Sequence, residues 1–185
     1  MPITSVLLDA FGTLCVLRQP RSIARRLADS LRLPIRDLWR EALTGRLAWD
    51  SLNAELRAEL ARELESFEIL PETLRILPAL RARGISTAIV SNVAAPYATL
   101  VNAHLAPLVD ACLLSCELGV AKPDSAIFTA ALDSLSAAAH TTLMIGDSPQ
   151  ADLKPASALG MRTALVDIAR GGLLSNALQS HGIAP

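Results

Sequence analysis

Three apolar runs in this chain of 185 residues stop at residues able to do chemistry. Ile3 to Leu8 leads into Asp9-Ala10-Phe11-Gly12-Thr13, Ser86 to Val90 into Ser91-Asn92, and Thr142 to Ile145 into Gly146-Asp147-Ser148, with Asp152 a short step beyond. A lysine, Lys122, stands just before Pro123 and the start of a helical segment. An aspartate, a hydroxyl, an ammonium and a second aspartate are the parts of one kind of chemistry. A carboxylate that attacks phosphorus or carbon in an anionic substrate needs a cation to offset the repulsion, and magnesium does this while clamping both oxygens in place. An ammonium beside it holds the charge of the nucleophile and of the transferring group.

The elements that must bring these residues together are legible from periodicity. The three runs, a fourth at Thr163 to Val166 and a weaker one at Ala111 to Ser115 are short and apolar, and read as buried strands. Between the later ones lie Ala-rich amphipathic segments with starting caps, Pro96 to Leu105, Asp124 to Ser136 and Pro149 to Leu159. Strand alternating with helix implies α/β architecture, a doubly wound parallel sheet covered on both faces. In such sheets ligands bind beyond the carboxyl ends of the strands, where the aspartates, Ser91 and Lys122 stand.

Arg18 to Leu70 breaks the alternation with successive helical patterns and no strand. Pro34 opens a helix from Ile35 to about Leu43, Gly45 punctuates it, and Asp50 or Ser51 caps a longer one to about Ser66. Pro71 starts the helix that returns to the core, and Gly84 ends it. The expected organisation is a core of residues 1–16 and 71–185 with a small helical cap at 17–70.

An apolar strand ending in Asp9, with Gly12-Thr13 behind it, resembles the first motif of the haloacid dehalogenase superfamily. Ser91 after Ala88-Ile89-Val90 resembles the second motif, Lys122-Pro123 the third, and Gly146-Asp147 with Asp152 the fourth. The resemblance covers essentially the whole chain, because the inserted helices fall where one cap type of that family is placed. It implies a Rossmann-like hydrolase core with Asp9 as nucleophile. Magnesium would be held by Asp9, Asp147 and the backbone carbonyl of Phe11, and Lys122 would steady the charge. Ser91, Asn92 and Thr13 would contact a small anionic substrate, and Asp152 would position Lys122 or a metal-bound water.

Two features pull apart. In the phosphatases of this superfamily the residue two beyond the nucleophile is usually a second aspartate that protonates the leaving alcohol; here it is Phe11, which can neither donate nor accept a proton. Asp9-Ala10-Phe11-Gly12-Thr13-Leu14 instead looks like the start of the 2-haloacid dehalogenases. Leu38-Trp39-Arg40 is similar to the stretch that gives those enzymes a halide-facing arginine, which makes Arg40 the matching residue. The fourth motif argues the other way, since those enzymes work without metal and carry small polar residues where this chain has Asp147 and Pro149, and Phe128 stands where they have tyrosine. Two carboxylates facing each other in a dry cleft require a cation. The expected function is therefore magnesium-dependent hydrolysis of a small phosphorylated metabolite. A dehalogenase and a non-catalytic metal-binding protein are the alternatives.

Each residue has a plainer role open to it. Asp9 could cap a turn, although a carboxylate ending a buried strand is costly unless paired. Ser91-Asn92 is a common helix N-cap pair, Asp147 and Asp152 suit a helix start, Lys122 suits a loop, and Arg40 suits an exposed helix face.

Bulk composition narrows the field. A formal charge of -1 with no dense Lys/Arg run excludes the electrostatic footprint of nucleic-acid binding. Arg18, Arg21, Arg25 and Arg26 read as the solvated side of a helix. Cys15, Cys112 and Cys116 are odd in number and lack metal-ligand spacing, so buried thiols in a reducing cytosol are expected, and nothing beside Cys15 would stabilise a thiolate. No stretch reaches the ~18 apolar residues of a membrane span, and no leader is evident, so a cytoplasmic location is expected. An apolar cap poor in aromatics could hide a homodimer face.

Overall fold

The computed structural model describes residues 1–20 and 23–184, so Arg21 of the basic cluster lies outside the described residues. The chain begins with β1 (Ser5–Leu8), turns into β2 (Cys15–Leu17), and enters three helices, α1 (Ile23–Leu31), α2 (Ile35–Leu43) and α3 (Ala54–Leu64). β3 (Phe67–Ile69) follows, and α4 (Pro71–Ala82) carries the chain to β4 (Ser86–Ser91). The remainder alternates through α5 (Ala95–His104), β5 (Ala111–Leu114), α6 (Ser115–Leu118), α7 (Ser125–Ser134), β6 (Thr142–Gly146), α8 (Lys154–Ala158), β7 (Arg162–Leu165) and α9 (Leu174–Gln179).

Five strands form a parallel sheet in the order β5-β4-β1-β6-β7. The chain winds outward from β1 to β4 and β5, then crosses back to β6 on the other side of β1. The winding therefore reverses between β1 and β6, and a crevice opens beyond the carboxyl ends of those strands. Each buried strand feeds both faces, as a period of two requires. Val6 and Leu8 join one core with Ile76, Leu77 and Val101, while Leu7 joins a second with Ile127, Phe128 and Met144.

The inserted helices have a core of their own, built on Ile23, Leu27, Leu38, Leu52, Leu56 and Leu60. They are tethered by the antiparallel pair β2 and β3, in which Val16 faces Glu68 and Leu17 faces Phe67. The sequence pattern gave no strand here, and β3 corrects it; three residues are too few for a period-two signal to stand out. Asn53, not Asp50 or Ser51, caps α3, its Oδ1 accepting from the Leu56 N–H at 2.9 Å. Asp124 caps α7 as expected, accepting from the Ala126 N–H.

The helix expected at Pro149 to Leu159 is instead two pieces, a single wide π-type turn at Pro149–Leu153 followed by α8. Pro155 has no N–H to donate to the carbonyl one turn back, which prevents a continuous α-helical ladder here. Among the described residues, no helix is long and apolar enough to cross a membrane.

Candidate active site

Asp9 is fixed by main-chain pairing before its side chain does anything. Its N–H donates to the Ile145 carbonyl at 2.9 Å, extending the β1–β6 ladder by one rung. The chain then closes into a tight turn, with the Ala10 carbonyl accepting from the N–H groups of Leu14 at 2.8 Å and Cys15 at 3.0 Å. Gly12 in this turn has φ of +83°, and a Cβ there would lie 2.3 Å from Oδ2 of Asp147. Only a residue without a side chain permits both the backbone shape and the approach of that carboxylate. A Cβ on Gly146 would likewise meet Oδ2 of Asp152 at 2.3 Å.

Three elements converge on Asp9. Ser91, the last residue of β4, donates its hydroxyl to Oδ1 of Asp9 at 3.1 Å. Lys122 donates to the same oxygen at 2.7 Å, to Oδ1 of Asp152 at 2.5 Å and to the Val90 carbonyl at 2.9 Å, which uses all three ammonium protons. Asp152 in turn accepts from the Ser148 N–H at 3.0 Å, and the wide turn that carries it is capped by the Ser148 hydroxyl. Asp9, Lys122 and Asp152 are all buried.

Burial works against the charge on Lys122, but Asp9 and Asp152 outweigh it and hold the ammonium protonated. Burial also raises the Asp152 carboxyl, with Lys122 opposing and Asp9 reinforcing the rise.

Asp147, an exposed residue, faces this group and among the described residues has no comparable partner. Its carboxyl is pushed up to about 6, first by burial and then by the charges of Asp9 and Asp152. Carboxylate oxygens of Asp9, Asp147 and Asp152 lie within 4.8 Å of one another, with one ammonium among them. An all-oxygen set with surplus negative charge is the chemistry of a hard divalent cation, so the residues present fit magnesium. These groups line a cavity of about 180 Å³ together with Phe11, Ser91, Asn92 and Ser148.

Other expected site residues are placed differently. Asn92 lines the Asp9 cavity and also uses its side chain on Lys122: Oδ1 accepts from the Lys122 N–H at 2.7 Å and Nδ2 donates to the Lys122 carbonyl at 2.8 Å. The residue expected to donate to substrate thus also clasps the lysine loop. Arg40 is not brought to the crevice. Its side chain is 59% exposed and pairs with Asp37 at 3.0 Å and Glu41 at 3.6 Å, so the plainer helix-face role describes it. Thr13 is buried in the turn behind Asp9, and its hydroxyl has no hydrogen-bond partner among the described residues. It borders a separate, largely apolar cavity with Leu70, Val166 and Leu174, not the cavity around Asp9.

Burial and the charge of Asp9 push the Cys15 thiol up, which leaves no thiolate there. Arg18 pairs with Glu68, and Arg26 with Glu55 and Glu59, on exposed surface.

Tyr97 and Glu63 had no signature in the sequence. The Tyr97 hydroxyl donates to Glu63 at 3.0 Å, linking the core helix α5 to the inserted helix α3. The Phe11 ring meets Tyr97 edge-on at 6.2 Å and Phe67 of β3 at 6.1 Å. The side chain that replaces the usual acid is thus built into the seam between core and insertion. Nothing in the local pattern around Tyr97 marks it, because the contact depends on tertiary packing.

Fold and crevice together define an α/β protein with an aspartate-centred polar site at the switch point of its sheet. The chain belongs to the haloacid dehalogenase-like hydrolases, whose family model matches residues 3–160. It is 33% identical over 137 residues to a phosphoserine phosphatase of Thermus thermophilus, covering 72% of this chain and 55% of that protein. It is 35% identical over 106 residues to a ribulose-1,5-bisphosphate 5-phosphatase of Halopiger xanaduensis, covering 56% and 44%. The chain thus spans about half the length of these curated relatives. Among solved structures it resembles a HAD family enzyme of Bacteroides thetaiotaomicron, with a TM-score of 0.73 and 19% identity over 90% of this chain and 94% of that one. That enzyme has also been crystallised with magnesium and inorganic phosphate.

Proposed function

We propose that this chain is a magnesium-dependent phosphohydrolase acting on a small phosphorylated metabolite through a covalent intermediate on Asp9. The observation that carries the reading is the acidic trio Asp9, Asp147 and Asp152 around a single buried ammonium. Such a cluster is repulsive until a divalent cation joins it, and the residues that would hold magnesium are Asp9, Asp147 and the Phe11 carbonyl. When bound, magnesium supplies positive charge that draws in and orients the phosphoryl group.

The chain's own residues divide the remaining work. Asp9 attacks phosphorus, Lys122 holds the charge that builds on Asp9 and the phosphoryl oxygens, and Ser91 stands within hydrogen-bond reach of the same oxygen. Asp152 and Asn92 hold Lys122 from opposite ends. The inserted helices, hinged on β2 and β3, act as a lid over residues that must exclude water. The phosphatase names of the two curated relatives and the magnesium and phosphate of the Bacteroides enzyme support this reading.

A dehalogenase remains the second reading because of Phe11. The position of Arg40 speaks against it. A non-catalytic metal binder is the third, and retention of Asp9, Ser91, Lys122 and Asp147 in one crevice speaks against that. Purified protein given p-nitrophenyl phosphate, acetyl phosphate and 2-chloropropionate, each with magnesium and with chelator, separates the three. Phosphate release abolished by chelator is the expected result. Chelator-resistant chloride release would make the protein a dehalogenase, and no release from any substrate would favour the binder.

A further inference from the structure

We propose that the leaving group of the substrate lies in a cleft beside the Asp9 cavity, where Arg18 and Asp167 select an uncharged chain bearing several hydroxyl groups. The inference rests on the phosphohydrolase reading and assigns its leaving-group site and substrate class.

Size points to the cleft first. Sites for small molecules enclose about 300–1,000 Å³. The Asp9 cavity, at about 180 Å³, falls short of that range, although it gathers the groups that would act on phosphorus. A second space of about 490 Å³ adjoins it and shares Asp147 as a wall. Gly12, in the turn after Asp9, lines this second space too, and its lack of a side chain is what lets the Asp147 carboxylate stand there. The two spaces meet at Asp147, so a chain leaving phosphorus on that side enters the cleft.

The walls of the cleft are chemically complementary. Val16, Leu17 and Arg18 come from β2 and the residue after it, and Asp167, Ile168 and Ala169 from the turn after β7. A guanidinium has five N–H donors, and Arg18 gives two of them to Glu68, at 2.6 and 2.9 Å. Asp167 accepts from the Arg170 N–H at 3.2 Å and pairs with that residue's guanidinium at 3.5 Å, while a carboxylate has about four acceptor positions. One wall therefore offers donors and the other acceptors. A hydroxyl group uses both, and the carbon skeleton between hydroxyls suits the apolar faces of Val16, Leu17 and Ile168.

Charge sets aside the rivals. Arg18 is matched by Glu68 and Asp167 by Arg170. A second phosphate or a carboxylate on the leaving group would find the guanidinium neutralised and two carboxylates, Asp147 and Asp167, in the same lining. A bare alkyl chain would displace water from Arg18 and Asp167 and return no hydrogen bond.

The reaction balances with such a leaving group. Asp9 forms a bond to phosphorus as the bond from phosphorus to the alkyl oxygen breaks, and the electron pair leaves on that oxygen, which takes a proton from water in the cleft. A second water then attacks phosphorus, and the bond to Asp9 breaks with its electron pair returning to the carboxylate. One proton of that water stays on the released phosphate and the other neutralises the hydroxide left by the first step.

The test uses the whole chain with magnesium and measures phosphate release from ribitol 5-phosphate, sorbitol 6-phosphate, butyl phosphate, phosphoserine, fructose 1,6-bisphosphate and acetyl phosphate. The two polyol monophosphates should exceed butyl phosphate, phosphoserine and the bisphosphate in kcat/KM by about tenfold or more. Arg18→Met and Asp167→Asn should each lower kcat/KM for the polyol phosphates relative to acetyl phosphate by about tenfold, chiefly through KM. Arg18 also tethers β2 to β3 through Glu68, so Ala169→Leu, at an exposed position, supplies a variant that narrows the cleft without disturbing the tether, and it should act the same way. Calorimetry in the Asp9→Asn background reads binding without turnover, and adding Arg18→Met there should weaken the Kd for sorbitol 6-phosphate by about tenfold. Butyl phosphate, phosphoserine or the bisphosphate turned over as well as the polyol phosphates would overturn the assignment. So would cleft variants that leave the ratio to acetyl phosphate and the Kd unchanged. No phosphate from any compound would instead overturn the phosphohydrolase reading on which the assignment rests.

Discussion

The Nζ of Lys122 lies 2.7 Å from Oδ1 of Asp9, and the same ammonium reaches Asp152 at 2.5 Å. One buried cation therefore ties the end of β1 to the turn that follows β6, across the point where the sheet reverses its winding. Lys122→Met removes the cation and leaves two buried carboxylates facing each other. The expected loss of stability is about 3–5 kcal/mol, read from denaturant melts, with activity falling at least about a hundredfold. A variant as stable as wild type would show that the pair carries no such coupling.

Gly12 and Asp147 give an independent handle on the metal site. Gly12→Ala places a methyl group against the Asp147 carboxylate in a backbone shape that alanine rarely adopts. Magnesium affinity, measured by titration calorimetry, should weaken about tenfold or more. Unchanged affinity would remove Asp147 from the ligand set.

The raised carboxyl of Asp147 fixes the sign of a pH effect. An ordinary aspartate loses its proton near 3.9, whereas this one is pushed up to about 6 by burial and by Asp9 and Asp152. Between those values the folded, metal-free chain holds a proton that the unfolded chain has released, so this group's contribution to stability falls as pH rises through the window. Magnesium competes with that proton. The increase in Tm on adding magnesium should be larger at pH 8 than at pH 5, and Asp147→Asn should abolish the difference. A magnesium effect equal at both pH values would contradict the assignment.

Asn92 separates a positioning role from a substrate contact. Its amide holds the N–H and carbonyl of Lys122, so Asn92→Ala should lower kcat with KM little changed and cost about 1–3 kcal/mol of stability from the unsatisfied main chain. A raised KM with kcat intact would restore the substrate contact that the sequence suggests.

Much of this architecture was legible before the structure. Short apolar runs ending in Asp9, Ser91 and Asp147 carry their own evidence of buried parallel strands, because such strands are apolar on both faces and place their last residues at the ligand edge. That Lys122 belongs beside Asp9 is what the resemblance to the superfamily's motifs implies, since a loop lysine alone carries no such signal. The side-chain bonds were not legible. Asn92 and Ser91 are adjacent and chemically similar as donors, yet one points to the nucleophile and the other grips the lysine loop, a distinction set by the path of residues 119–123. Phe11 was recognisable as a missing acid but not as a wedge between Phe67 and Tyr97, since those contacts join segments far apart in the chain. The split helix after Ser148 had a visible cause in Pro155, whose missing N–H marks the break.

The central claim is a covalent bond to phosphorus on Asp9. Protein turning over p-nitrophenyl phosphate with magnesium, quenched in acid and digested, should show a phosphoryl group on the peptide that contains Asp9, and Asp9→Asn should fold normally yet show neither label nor turnover. Turnover at the wild-type rate in Asp9→Asn, or label on any other residue, would contradict the account.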